Sequence, residues 1–289
     1  MKIIKLQGGL GNQMFQYAFA RGLAEKTKEE VYFDFSGFDA VEGVTPRSFS
    51  LDAFNVVVQK ASTVDIQSLT KGKRSPRLIK IQRMLCLTVP AYVHEKEHSF
   101  HPELWEIHGN AYFDGYWQSE KYFLHVAKEI REAFVPRQPL GTDAAMIAKK
   151  ITDTSISLHV RRGDYVTNKK ASDALGACDL GYYQKAITKA LTGLEIPHIF
   201  VFSDDIAWVK KNITIPYEAT FVSEYNLNDW EELVLMSLCR RHIISNSSFS
   251  WWGAWLDARH GTMVIAPLQW VKDSTLTNKD ITPPSWIRL

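Results

Sequence analysis

The sequence has little of what marks disulfide-rich, nucleic-acid-binding or membrane-spanning proteins. Its 289 residues include three scattered cysteines (Cys86, Cys178 and Cys239), whose spacing fits neither a disulfide framework nor a metal site. The formal net charge is only +2, whereas nucleic-acid binders usually carry a clear basic excess. No stretch approaches the roughly 20 apolar residues that span a bilayer, and the N-terminus has no apolar leader. We therefore expect a cytoplasmic protein that binds no nucleic acid.

Short apolar runs alternate with helical patterns along the chain, which is typical of an α/β fold with mainly parallel strands. One series begins at Lys2 and a second at about Asp143. Between them, Pro136, Pro139 and Gly141 mark a linker, because proline breaks both helix and strand ladder. The sequence therefore predicts two α/β domains, residues 1–138 and 139–289, with a cleft between them.

A glycine-rich turn follows the first predicted strand and opens a helix. Its residues include Gly9, Gly11 and Asn12, and Asp34 ends the next strand, where a dinucleotide-binding fold keeps its ribose-binding acid. Met14 stands where that fold has its third glycine, which weakens an oxidoreductase interpretation. Two interpretations of this turn stay open. It is either a ligand loop that places the Asn12 amide at the cleft, or a plain turn with Asn12 as helix N-cap.

The segment His94-Glu95-Lys96-Glu97-His98 matches the H-E-x-x-H pattern of metalloproteases. That chemistry needs both histidines on one face of a helix, but the flanking residues favour strand and loop. We expect a solvated charged segment and no metal site.

The strand predicted for residues 155–161 runs out into two arginines. His159 and Arg161 share one face of this strand, so both can contact one ligand beyond its carboxyl end. A guanidinium is a planar, permanently charged fork that suits phosphate. Arg162 points the other way and is expected to pair with Asp164 or another acid. The alternative is a surface ion-pair network.

Another predicted strand ends in Ser203, Asp204 and Asp205. Its carboxylates suit a nucleotide-bound cation or the N–H groups of a base, or they cap the helix that begins at Ile206. We interpret one acid as the cap and the other as a recognition group.

The strand that ends near Ser245 leads into a serine-rich turn and a helix. Asn246, Ser247 and Ser248 lie in this turn, just before Phe249. Hydroxyls and unpaired backbone N–H groups at a helix start form an anion site. The alternative is helix capping by Ser248 or Ser250.

Six basic residues and no acidic one lie between Lys71 and Arg83. Such a segment suits an anionic membrane surface or a solvated helix face. We favour the solvated face and keep peripheral contact with the inner membrane face as the alternative.

Together these motifs carry a family resemblance: the chain resembles the bacterial α-1,2-fucosyltransferases of glycosyltransferase family 11. The matching stretches are residues 8–24 (GGLGNQMFQYAFARGLA), 113–123 (FDGYWQSEKYF), 159–166 (HVRRGDYV), 178–187 (CDLGYYQKAI), 202–205 (FSDD) and 245–256 (SNSSFSWWGAWL). The resemblance implies a GT-B-type fold of two Rossmann-like domains facing a central cleft. It also implies transfer of L-fucose from GDP-β-L-fucose to the 2-hydroxyl of a terminal galactose, with inversion and without a required metal or other cofactor.

The resemblance also implies an acceptor-side domain at residues 1–138 and a GDP-fucose-binding domain at residues 139–289. The acceptor would be a galactose-terminated oligosaccharide or a lipid-linked glycan. By similarity, Arg161 holds the diphosphate, His159 lies on the nucleoside side, and Asn12 faces the reacting centre. The catalytic residues are then Arg161, Asn12 and Asp164. The nucleotide-sugar-binding residues are Gly9, Gly11, His159, Arg161, Ser203, Asp204 or Asp205 (guanine), Asn246, Ser247 or Ser248 (phosphates) and Phe249.

Several alternatives stay open beside this interpretation. Asp164 either takes the acceptor's proton or only orients the arginines, and a dissociative path with late proton loss needs little base. A fucosyltransferase of another linkage, a nicotinamide-dependent oxidoreductase and a non-catalytic sugar-binding module are the other functions. Sugar stacking is expected at Trp117 and around Trp105, while Trp251, Trp252 and Trp255 brace the serine-rich turn.

Overall fold

The computed structural model describes residues 1–39, 47–70, 91–163, 176–272 and 279–289. Asp164 and the basic segment at 71–83 therefore lie outside the described residues. The chain divides into two compact units, Met1–Arg137 with Lys279–Ile281, and Gln138–Asn278 with Thr282–Leu289. The linker pattern predicted a division after residue 138, whereas these units divide after Arg137, and no pattern indicated that residues 279–281 belong to the first unit.

The first unit is built on a four-stranded parallel sheet with strand order β2-β1-β4-β3. Its elements are β1 (Lys2–Gln7), α1 (Leu10–Thr27), β2 (Val31–Gly37), α2 (Thr63–Thr70), β3 (Ala91–His94), β4 (Ala111–Asp114) and α3 (Ala127–Ala133). The apolar residues of β1 are buried, as expected for a parallel strand that is covered on both faces. Because β1 and β4 are neighbours, the loops that follow them meet at one edge of this sheet.

Two predicted elements of the first unit are shorter than the sequence indicated. The strand predicted for residues 111–117 ends at Asp114, and further on the backbone of Trp117 adopts a positive φ of 56°, which a strand does not allow. The helix predicted for residues 120–134 is divided into two short 3-10 turns, followed by α3. The break falls at Phe123, whose backbone is not helical and whose ring is fully buried. Burial of these aromatic rings overrides the local helical pattern.

The second unit is built on a six-stranded parallel sheet with strand order β10-β9-β8-β5-β6-β7. Its strands are β5 (Ser155–Val160), β6 (His198–Ser203), β7 (Ala219–Phe221), β8 (Arg241–Ile243), β9 (Met263–Ala266) and β10 (Ile287–Arg288). Its helices are α4 (Thr142–Ala148), α5 (Leu180–Leu191), α6 (Ile206–Asn212), α7 (Asp229–Leu238) and α8 (Ser248–Trp255).

Helices cover both faces of this second sheet. Ile199 and Val201 of β6 belong to one apolar cluster, which includes residues of α5 and α6. Phe200 and Phe202 belong to another, with residues of α4 and α7. Alternate residues of one strand therefore bury on opposite faces, as a parallel strand requires.

The strand order reverses between β5 and β8. From β5 the chain builds outward through β6 and β7, and then returns to start β8 on the other side of β5. Open α/β sheets bind ligands beyond the carboxyl ends of the strands at such a switch point. The loops after β5 and β8 are therefore the expected ligand site of this unit. None of the described helices is long and apolar enough to cross a membrane.

Candidate active site

Arg161 follows β5 at the switch point and pairs with an acid from the neighbouring strand. Its Nη1 lies 2.9 Å from Oδ2 of Asp204, and both side chains are about one quarter exposed. Asp204 Oδ1 also accepts the backbone N–H of Arg162 at 2.8 Å. A Cβ on Gly163 would lie 2.4 Å from Asp204 Oδ2, so a larger residue there would displace this carboxylate. Because a guanidinium carries five N–H donors, Arg161 can hold a carboxylate and a phosphate together.

Arg162 and Asp205 have structural contacts instead. Arg162 Nε lies 3.2 Å from Asp205 Oδ2, and its guanidinium stacks 3.9 Å from the centre of the Trp208 ring. Asp205 caps α6 by accepting the backbone N–H of Trp208 at 3.0 Å. The structure thus shows Asp205 as the capping acid and as the partner of Arg162.

His159 is buried beside Arg161 and linked to the loop after β8. Its Nδ1 lies 2.8 Å from the Ser245 hydroxyl, and its ring is 5.8 Å from that of Phe249. Burial, together with the positive charge of Arg161, lowers the pKa of His159 to about 3. The imidazole is therefore neutral near pH 7, and so does not repel the adjacent guanidinium.

The N-cap of α8 lies in the serine-rich turn, before both of the predicted capping residues. Ser247 is the N-cap, and its hydroxyl accepts the backbone N–H of Phe249 at 3.3 Å. The alternative of capping by Ser248 or Ser250 is therefore wrong: Ser248 is the first helical residue, and the Ser250 hydroxyl donates to the Ser247 carbonyl. The start of α8 offers backbone N–H groups and hydroxyls at the switch point, which suits an anion.

Two predicted binding residues hold loops together. Asn246 Nδ2 donates to the carbonyls of Gly176 at 2.8 Å and Trp270 at 3.0 Å. The Ser203 hydroxyl accepts the backbone N–H of Asp205 at 3.0 Å. Both side chains shape the site from inside the unit, so any contact they make with a ligand is additional to these bonds.

The glycine turn of the first unit has the conformation that glycine permits. Gly8 has φ of +79°, and Gly9, with an ordinary φ of −76°, is the N-cap of α1. Asn12 is therefore inside the helix, and the interpretation of Asn12 as N-cap is wrong. Its Oδ1 accepts a hydrogen bond from Gln118 Nε2 at 2.8 Å. Gly11 is buried in the first turn of α1.

Two buried glutamines of α1 hold this turn and the turn after β4, and neither was among the predicted site residues. Gln13 Nε2 donates to the carbonyls of Gly8 (2.9 Å) and Ser48 (2.8 Å), and its Oε1 accepts the Ser50 backbone N–H. Gln16 Nε2 donates to the Gly115 carbonyl at 3.1 Å. Amides within an otherwise apolar run (residues 13–20) were the available signal, since buried polar groups need partners.

Asp34 does not have the surroundings of a ribose-binding acid. It is buried, and its carboxylate accepts hydrogen bonds from the Ser36 backbone and hydroxyl and from the Tyr112 hydroxyl at 2.6 Å. These contacts fix the end of β2 and remove the second feature on which the oxidoreductase interpretation depended.

The tryptophans have only some of the roles predicted for them. Trp117 is only 1% exposed, and its ring stacks 4.6 Å from that of Phe19, so the prediction of sugar stacking at Trp117 is wrong. Trp105 is half-buried and packs edge-on against Tyr122. Trp251, Trp252 and Trp255 are buried on α8, directly behind the serine-rich turn.

The H-E-x-x-H segment is strand and loop, as its flanks predicted, but the expectation that the whole segment is solvated is wrong at Glu95, whose carboxylate is largely buried and accepts backbone N–H groups. His94 ends β3, and the histidines do not share a helix. Within the described parts of the chain, no three His, Cys, Asp or Glu side chains come together as a metal site. Metal independence stays a prediction.

Two parallel-stranded α/β units, with a cationic site at the switch point of the second, define the class as a GT-B-type glycosyltransferase fold. The solved structure of Arabidopsis thaliana FUT1 with GDP shares this fold, with a TM-score of 0.50 at 14% identity, over 98% of this chain and 72% of that one. The fold class predicted from the sequence is confirmed. The family model for "Glycosyl transferase family 11" matches residues 71–289. The chain therefore belongs to glycosyltransferase family 11.

Relatives of nearly full length support this membership. The chain is 33% identical to an Escherichia coli alpha-1,2-colitosyltransferase, over 99% of this chain and 98% of that protein. It is 30% identical to the Escherichia coli O-antigen biosynthesis glycosyltransferase WbnK, over 98% and 99%. A Caenorhabditis elegans galactoside 2-alpha-L-fucosyltransferase is 25% identical, over 98% of this chain and 74% of that protein.

Proposed function

We propose that the protein transfers L-fucose from GDP-β-L-fucose to the 2-hydroxyl of a terminal galactose, with inversion at the anomeric carbon. The observation that carries the proposal is Arg161 at the switch point, beside neutral His159 and the start of α8. Two of the relatives are named for α-1,2 or 2-alpha transfer, which favours this linkage.

The second unit supplies the electrostatic part of the mechanism. As the bond between the anomeric carbon and the β-phosphate oxygen breaks, negative charge grows on GDP and the sugar becomes cationic. Arg161 stabilises the departing diphosphate, together with the N–H groups and serine hydroxyls at the start of α8. His159 contributes on the nucleoside side, and Asp204 orients the guanidinium of Arg161. Guanine recognition by Asp204 or Asp205 remains part of the proposal, although each carboxylate already has partners within the unit.

The acceptor hydroxyl attacks the opposite face of the sugar and loses its proton. Either Asp164 accepts this proton as the general base, or the proton is lost late in a dissociative path that needs little base. In this proposal the first unit receives the acceptor, a galactose-terminated oligosaccharide or lipid-linked glycan, and the Asn12 amide faces the reacting centre. No metal takes part, because Arg161 and α8 supply the positive charge.

One relative favours a second candidate donor. The Escherichia coli protein named as a colitosyltransferase matches nearly the whole chain. Colitose is the 3-deoxy analogue of L-fucose, so GDP-colitose would use the same nucleotide site.

The test is GDP release by the purified full chain from GDP-fucose and from GDP-colitose, with a panel of galactose-ended acceptors and in the presence of EDTA. We expect turnover of GDP-fucose that EDTA does not reduce, and an α-1,2 linkage by NMR of the product. Faster turnover of GDP-colitose would transfer the assignment to that donor. Absence of turnover with both donors, or a product of another linkage, would refute the proposal.

A further inference from the structure

Glu95, the central acid of the H-E-x-x-H segment, holds the backbone of a neighbouring turn. It follows β3, and its own N–H donates to the Asp114 carbonyl at 2.9 Å. Its carboxylate accepts the backbone N–H of Tyr116 at 2.6 Å and that of Trp117 at 3.1 Å. A Cβ on Gly115 would lie 2.5 Å from the Glu95 Cβ, so the glutamate packs directly against this glycine.

The turn that Glu95 holds has an unfavourable backbone. Trp117 is a bulky residue with φ of +56°, a conformation that persists only where the surroundings fix it. The Trp117 ring is fixed by Phe19 and Tyr122, and the backbone N–H of Trp117 is fixed by Glu95. Removal of the carboxylate therefore loosens the turn from the backbone side, while the ring stays packed.

The turn leads directly to the glycine loop. Gln118 is the next residue, and its Nε2 donates to Asn12 Oδ1 at 2.8 Å. With that oxygen occupied, the Asn12 amide presents its NH2 group as the donor. The orientation of Asn12 thus depends on the position of Gln118, which depends on the turn.

We propose that Glu95 is a positioning residue of the transfer reaction: it fixes the 115–118 turn, which in turn fixes the Asn12 amide through Gln118. This inference rests on the proposed function, in which Asn12 faces the reacting centre.

The charge state of Glu95 gives the proposal a distinctive readout. Burial raises the pKa of Glu95 to about 6, although the N–H groups of Tyr116 and Trp117 and the nearby His101 act in the opposite direction. Tyr116 and Tyr122 also face the carboxylate, and Asp114 ends the adjacent strand. Protonation weakens the carboxylate as an acceptor of two N–H bonds. The turn is therefore best held above pH 6 and loosens as the pH falls through that value.

The experiment compares Glu95→Gln, Gln118→Ala and their double variant with Glu97→Gln, which removes an exposed acid two residues away. We expect kcat to fall about 10- to 100-fold in both single variants, the range that small misplacement of a reacting group produces, with the donor KM unchanged. The double variant should be no slower than the worse single one. Wild-type kcat should fall as the pH drops through about 6, and Glu95→Gln should lack this dependence.

Glu95→Gln with wild-type kcat and pH profile would overturn the proposal, even if its melting temperature falls. NMR keeps the test independent of activity and of the variants' folding. In the wild type, the Tyr116 and Trp117 N–H resonances should titrate near pH 6, and constant shifts from pH 5 to 8 would overturn the proposal. The Asn12 NH2 resonances should move in Glu95→Gln and not in Glu97→Gln. If the wild type turns over neither donor, the proposed function fails, while these shifts still test the coupling.

Discussion

The two adjacent arginines that follow β5, and the two adjacent aspartates that follow β6, form separate pairs with different surroundings. Arg161 pairs with Asp204 where the strand order reverses, whereas Arg162 pairs with Asp205 and stacks on Trp208. Both arginines lie beyond β5, which ends at Val160, and they are separated by their pairing with two different acids that follow β6. The two positions should therefore respond differently to substitution.

For Arg161→Ala we expect turnover to fall about 10²–10³-fold, the usual loss when one donor to developing charge is removed. Stability should change by less than about 1 kcal/mol, because partly exposed ion pairs contribute little. Arg162→Ala is the comparison variant, and should lose more stability than Arg161→Ala and less turnover. Initial rates and urea unfolding measure both effects. Near-normal turnover by Arg161→Ala would refute the role of Arg161.

His159 supports a prediction about acid stability. Its pKa in the folded chain is about 3, below the ordinary value of 6.5, so the unfolded chain takes up a proton that the folded chain refuses. The stability linked to this group is complete above pH 6.5 and is lost as the pH falls toward 3, by up to roughly 1.4 kcal/mol per pH unit. His159→Gln should therefore cost less stability at pH 5 than at pH 7, as measured by urea unfolding. An equal cost at both pH values would contradict this, and His260→Gln, at an exposed histidine, is the control.

At the scale of elements, the sequence predicted best where the pattern is local. The bounds of α6 and β9 agree with the prediction, because a capping acid and a run of apolar residues determine them within a few residues. The faces of β5 also agree: Ile156, Leu158 and Val160 enter one apolar cluster. The two-residue strand β10 carries too short a pattern to be recognised, and it was missed.

Long-range contacts explain what the sequence could not show of the site. Glu95 reaches the N–H groups of Tyr116 and Trp117, 21 and 22 residues further on, and Asn12 meets Gln118 106 residues away. No local spacing encodes such pairs. The strand ends were predicted as the location of the chemistry because parallel strands place their carboxyl ends together, but the partner of each side chain depends on packing.

The glycine turn before α1 allows a matched test. Gly8→Ala puts a Cβ at a positive φ and within 2.6 Å of Asn12 Nδ2, so we expect a loss of about 1–2 kcal/mol in stability and reduced turnover. Gly9→Ser should keep wild-type stability, because Gly9 has an ordinary φ, nothing lies within 4 Å of its added Cβ, and serine caps helices well. If a ligand approaches this backbone, Gly9→Ser raises the KM of one substrate. Urea unfolding and initial rates distinguish these effects, and equal stability of the two variants would contradict the prediction.

At the scale of the whole molecule, the chain returns to its first unit near its end. Asp280 is buried there, accepts the Phe100 backbone N–H at 2.9 Å and lies 2.6 Å from Lys121 Nζ. These bonds lower the pKa of Asp280 against the opposing effect of burial. The first unit is therefore completed by residues 279–281, and a truncation after residue 138 would remove them from it.

Ligand-linked stability tests the proposed function on the intact chain. A ligand that binds only the folded state adds about 2.7 kcal/mol at a concentration one hundred times its Kd, so saturating GDP should raise the melting temperature. NAD should not, because Asp34 is held by Ser36 and Tyr112. Arg161→Ala should lose most of the GDP shift, since the diphosphate loses its guanidinium, and EDTA should leave the wild-type shift unchanged. Stabilisation by NAD and not by GDP would return the oxidoreductase interpretation, whereas a GDP shift that EDTA abolishes would refute metal independence alone.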